Sequence, residues 1–107
     1  MSAEMLKALL AMDGYASEVA ATAQATVAAL KRGGHGAVLL DLTMPGMTKD
    51  ELLDSVARLP HPPVIIHSAL PAAELAEAAA KIGAIATLAK PSEMEDLLAA
   101  VARALAQ

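Results

Sequence analysis

Three short apolar runs, at residues 37–40, 64–66 and 84–88, alternate with longer segments whose apolar residues recur at helical spacing. The runs are too short for helices, and Val64-Ile65-Ile66 is β-branched throughout. Ala37-Val38-Leu39-Leu40 has no polar side chain on either face, the pattern of a strand covered on both sides. Strands that take turns with helices build a parallel sheet with helices on its faces, joined by right-handed crossovers. The fold class is therefore α/β and doubly wound.

The helices carry their own start and stop signals. Thr48-Lys49-Asp50-Glu51 reads as a capping box opening a helix that buries Leu52, Leu53, Val56 and Leu59, and Pro60, Pro62 and Pro63 close it. Pro71 suits the first turn of the next helix, which buries Leu75, Ala79 and Ile82 and stops at Gly83. Ser92-Glu93-Met94-Glu95 reads as a second capping box, followed by Leu97, Leu98, Val101 and Leu105 on a core face. At the start of the chain, Ser2 is an N-cap for a helix carrying Met5, Leu6, Leu9, Leu10 and Met12 on one face, ending at Gly14. Glu18-Val19-Ala20-Ala21 reads as a short strand, and Thr22 caps a helix bearing Val27 and Leu30 that ends at Gly33-Gly34. One alanine-rich helix over the whole stretch is the alternative.

Composition narrows the function. A chain of 107 residues is read as one domain, residues 1–107. With no Phe or Trp and only Tyr15 as an aromatic, the core must be Leu, Ile, Val, Ala and Met, with Met5, Met12 and Met94 at core positions. A net charge of −4, no basic cluster and no stacking rings exclude a nucleic-acid surface. The absence of cysteine excludes thiolate chemistry and disulfides. His35, His61 and His67 fit no compact metal-ligand spacing. No stretch suits a signal peptide or membrane span, so a soluble cytoplasmic chain is expected.

Parallel strands bring all their carboxyl ends to one edge, where ligands of open α/β sheets bind. Asp41 follows the first apolar run, Ser68 the second and Lys90 the third. A carboxylate can attack phosphorus and form an acyl phosphate. An ammonium and a hydroxyl can neutralise and hold the phosphoryl oxygens. Backbone N–H groups of the Leu42–Met44 loop add further donors. Met44 and Met47 in that loop are candidates for a contact surface. Each residue alone also has a plain structural reading: a turn aspartate, a loop serine, a solvated lysine.

Val38-Leu39-Leu40-Asp41-Leu42-Thr43-Met44-Pro45-Gly46-Met47, with His67-Ser68-Ala69 and Lys90-Pro91, resembles the receiver domain of two-component response regulators. The likeness implies a flavodoxin-like sheet. It implies Asp41 as acceptor of a phosphoryl group from a histidine kinase or phosphotransfer protein, Ser68 as switch hydroxyl and Lys90 as the phosphoryl-contacting lysine. It also implies a cis Lys90-Pro91 bond, and Mg²⁺ held by Asp41, the backbone carbonyl of Thr43 and an acidic cluster after the family's first strand. That strand and cluster have no counterpart here, so four strands or fewer are expected. Thr87 stands where the family usually has an aromatic ring. The likeness makes the chain a stand-alone signalling domain acting by docking. The alternatives are a degenerate receiver working as an interaction or dimerisation module, and an aspartate-nucleophile phosphohydrolase. The last wants a second aspartate where Thr43 stands, so no enzyme is expected. The gap left by the strand favours a homo-oligomer or strand-swapped dimer.

Overall fold

The structure is a computed structural model describing residues 2–107. In chain order the elements are α1 (Ala3–Met12), α2 (Ala23–Arg32), β1 (Val38–Leu40), α3 (Lys49–Ala57), β2 (Val64–Ser68), α4 (Ala72–Ile82), β3 (Ala86–Ala89) and α5 (Met94–Leu105). The strands form one parallel sheet in the order β1-β2-β3, with Val38 opposite Val64 and Ile65 opposite Ala86.

Alternation along β2 divides the core into two layers. Val64 and Ile66 point to one face, where Leu40, Leu52, Leu53, Val56, Leu75 and Ile82 close over them from β1, α3 and α4. Ile65 points to the other, against Ala100, Val101 and Ala104 of α5, with Leu10 and Tyr15 at the margin. Both faces of β2 are thus dry over its first three residues, which explains the unbroken apolar run Val64-Ile65-Ile66.

Most start signals act as read. Ser2, Thr22 and Thr48 accept hydrogen bonds from the backbone N–H groups of Met5, Ala25 and Glu51, and Glu51 returns its side chain to Thr48 in a complete capping box. Gly83 closes α4 in the left-handed region, at φ 68°. The Lys90–Pro91 bond is cis.

Four expectations are corrected. Residues 18–21 form no strand. The segment links α1 to α2 without regular structure, and Glu18 is drawn to Arg32 (3.0 Å) and His35 (2.9 Å) instead of to a strand partner. Second, Met5 and Met12 are 55% and 82% exposed rather than in the core, and α1 buries none of its residues. Third, Ser92 does not cap α5, whose N-cap is Glu93 without a side-chain bond. The Ser92 hydroxyl is instead paired with His67 Nε2 at 2.9 Å. Fourth, Leu105 is 43% exposed.

The exposure of Leu105 and the incomplete burial of Leu6 and Leu10 share a cause. A groove of about 660 Å³ opens between α1, residues 16–21, the outer edge of β1 and the end of α5. Leu6, Leu10, Leu39 and Leu105 line it where a further strand would have given them contacts. Val38 donates to the Pro63 carbonyl at 2.9 Å, so in a parallel ladder Leu39 turns its own N–H and C=O away from β2, toward this groove.

Candidate functional site

Strand β1 ends at Leu40, and the next residue is Asp41. Pro45 and Gly46 prevent the strand from continuing. The loop that results is fastened to the start of α2 at two points. Ala23 N–H donates to Pro45 C=O at 2.9 Å, and Gln24 Nε2 to Gly46 C=O at 2.6 Å. Gly46 has φ 108°, and a Cβ there would collide with the Gln24 amide. The positive φ calls for glycine here, and a side chain would in addition have to displace the Gln24 amide.

Within the loop, Asp41 Oδ1 accepts from the Thr43 N–H at 3.0 Å and from the Thr43 hydroxyl at 2.8 Å. This is the local turn bonding of an aspartate before a bend. The other oxygen, Oδ2, accepts from Lys90 Nζ at 2.8 Å. The local turn bonding and the contact with a distant lysine thus meet in one residue. Lys90 reaches Asp41 because its backbone is anchored at the end of β2: its N–H donates to Ser68 C=O at 2.8 Å.

Ser68 comes to the same edge but turns away. It is fully buried, and its hydroxyl accepts from Leu70 N–H at 3.4 Å, with no hydrogen bond to Asp41. His67, one residue earlier, faces the opposite side and holds Ser92 just beyond Lys90-Pro91. No local signal marks the His67–Ser92 pair, because Ser92 also fits a cap and only tertiary contact decides between the two roles. The Thr43 hydroxyl was equally hidden, although a threonine two residues after an aspartate is a recognisable turn partner.

The electrostatics follow from these contacts. Partial burial pushes the Asp41 carboxyl up, but the hydrogen bonds from Lys90 and Thr43, with the Lys90 charge, outweigh it and hold the group below the usual aspartate value. Burial lowers His67, the Lys90 charge lowers it further, and Asp41 offsets only part of this. At neutral pH the edge thus carries a carboxylate, an ammonium and a neutral imidazole.

The Mg²⁺ that the resemblance implies does not fit the donors present. Mg²⁺ takes octahedral oxygen coordination, usually from carboxylates, waters and phosphate. Both oxygens of Asp41 already accept bonds from the chain, one of them from a cation. Among the described residues no group of three or more His, Cys, Asp or Glu side chains is placed to hold a metal. Asp41 and the Thr43 carbonyl are left without the acidic partners such a site needs.

The comparisons with known proteins agree with the fold and with the family resemblance. The family model described as the response regulator receiver domain matches residues 1–102. The response regulator protein FleR of Pseudomonas aeruginosa is 37% identical over 101 residues, which is 94% of this chain and 21% of FleR; the chain spans about a fifth of that relative. A CheY-like response regulator receiver domain protein from Methanospirillum hungatei superposes with a TM-score of 0.84 at 28% identity, over 96% of this chain and 83% of that one. The receiver domain of the sensor histidine kinase PA1611 from Pseudomonas aeruginosa, solved with a magnesium ion coordinated in its active site cleft, shares the fold. Its TM-score is 0.82 at 20% identity, over 97% of this chain and 88% of that one. No described helix is long and apolar enough to cross a membrane.

Proposed function

The chain belongs to the response regulator receiver family, and on that premise we propose that Asp41 is the phosphoacceptor of a histidine–aspartate relay. The observation that carries this reading is the 2.8 Å contact of Lys90 Nζ with Asp41 Oδ2 at the carboxyl edge of a parallel sheet. In the transfer, a carboxylate oxygen of Asp41 attacks phosphorus, and the P–N bond to the donor histidine breaks. The electron pair leaves with the imidazole nitrogen. The Lys90 ammonium then neutralises charge on the phosphoryl oxygens, and backbone N–H groups of the Leu42–Met44 loop solvate the rest.

The donor is a histidine kinase or a phosphotransfer protein, and the output is docking to another protein rather than turnover of a substrate. Thr43, in place of a second aspartate, speaks against a phosphohydrolase. A second version, in which the chain works as an interaction module without phosphorylation, is favoured by two observations. The Ser68 hydroxyl is engaged with Leu70, and Thr87 is exposed where the family carries a moving ring. Self-association is part of the reading, supported by the unpaired outer edge of β1.

Intact mass after incubation with phosphoramidate separates the versions. The phosphoacceptor reading expects a phosphoryl adduct on the natural chain, removable by hydroxylamine and absent from Asp41→Asn. A natural chain that stays unmodified would leave the interaction module as the function.

A further inference from the structure

We propose that Lys90 is the only cation Asp41 uses in this chain, so that phosphoryl transfer to Asp41 is independent of Mg²⁺; this rests on Asp41 being the phosphoacceptor. A carboxylate offers about four lone-pair directions. Thr43 N–H and Oγ1–H take two on Oδ1, and Lys90 Nζ takes one on Oδ2. A Mg²⁺ ion binds oxygen at about 2.0–2.1 Å and sheds water reluctantly. At Oδ2 it would lie within a few ångströms of the Lys90 ammonium, where like-charge repulsion is strong and only partly screened.

The other carboxylates do not relieve this. Glu18 lines the same groove as Asp41, but its two oxygens are held by Arg32 at 3.0 Å and His35 at 2.9 Å. Glu4, in the first turn of α1, also lines the groove but joins no cluster of three metal-donor side chains. Among the described residues, the other ionisable group at this edge, His67, has its Nε2 paired with Ser92. Lys90 thus meets the need that a divalent ion meets elsewhere. It already sits on the nucleophile, and a phosphoryl group on Asp41 would place its oxygens within reach of the same ammonium.

With phosphoramidate as donor the step balances without a metal. The carboxylate oxygen forms a new O–P bond, the P–N bond breaks, and the nitrogen, already protonated, departs as ammonia with the bonding pair. The acyl phosphate carries two negative charges beside one ammonium.

Two readouts on the natural chain test this. One is the rate of adduct formation by intact mass in Mg²⁺ and in EDTA. The other is the NMR signals of the Asp41 side-chain carboxyl and the Thr43 amide during a Mg²⁺ titration. The proposal expects rates equal within about twofold, a barrier difference under roughly half a kcal/mol. It also expects neither signal to move saturably. Lys90→Met, which keeps the apolar stem, should cut the rate by about tenfold or more in both media while its circular dichroism stays that of the natural chain. An adduct seen only with Mg²⁺, or a saturable shift of either signal, would overturn the proposal and leave the phosphoacceptor reading intact. If no adduct forms in either medium, the phosphoacceptor reading fails. The titration then decides the metal question alone: unmoved signals uphold a metal-free Asp41, and shifting signals reject it.

Discussion

Asp41 is bound from two sides by residues that differ in kind. Thr43 is its near neighbour in sequence, and Lys90 comes from 49 positions away. Removing either donor should raise the Asp41 pKa, Lys90→Met through the loss of both a hydrogen bond and a charge, Thr43→Val through one hydrogen bond. A carbon-13 titration of the carboxyl checks this; an unmoved midpoint in Lys90→Met would contradict the ion pair. The same contacts set an acid limit. Because the folded-state pKa of Asp41 lies below the ordinary aspartate value of 3.8, its contribution to stability is complete above that pH. It is lost as pH falls through the depressed folded value. His67 acts in the same direction at a higher pH. Its folded pKa is below 6.5, so the unfolded chain binds more protons there and stability declines as pH drops from 6.5 toward the lowered value. Urea midpoints measured across this range should fall on acidification, and His67→Gln should flatten the upper part of the curve.

The helices and loops show which signals are local. Thr48, Ser2 and Thr22 sit one residue before their helices and bond within three residues, so sequence spacing alone reveals them. Thr48→Ala should destabilise the chain by about 1 kcal/mol, read as a lower urea midpoint at unchanged slope. Gly46→Ala should cost more, roughly 1–3 kcal/mol, since a positive φ and the Gln24 amide both oppose the methyl; Gln24→Ala in the same chain should recover part of it. Where a signal depends on a distant partner, the sequence is ambiguous. Ser92 has the spacing of a capping box, yet the imidazole of His67 claims its hydroxyl. Residues 18–21 read as a short strand, but a strand exists only by its neighbour. Here Glu18 is held by Arg32 and His35 instead. The carboxyl-edge meeting of Asp41 and Lys90 was legible because parallel topology alone dictates it. The inward turn of Ser68 was not, because it depends on a rotamer.

At the scale of the whole molecule, the sheet has two outer strands, β1 and β3, and it is the edge of β1 that opens onto the groove. Burial is densest around Leu40, Leu52, Ile65, Ile66 and Leu97, all but inaccessible to solvent. Leu52→Ala should therefore cost about 2–5 kcal/mol in a urea melt, whereas Met12→Ala, at an exposed site, should change little. The open side leads to the prediction of self-association: light scattering should give a mass above 10.9 kDa that rises with concentration. A constant monomer mass would reject it. The unfinished edge also sorts the amide protons of β1 into two classes. Val38 and Leu40 point theirs into β2, while Leu39, between them, points its own into the groove. In deuterated water the middle residue of this strand should trade its hydrogen for deuterium well before the residues on either side. A single strand would then exchange in a slow–fast–slow rhythm until something pairs with its outer edge.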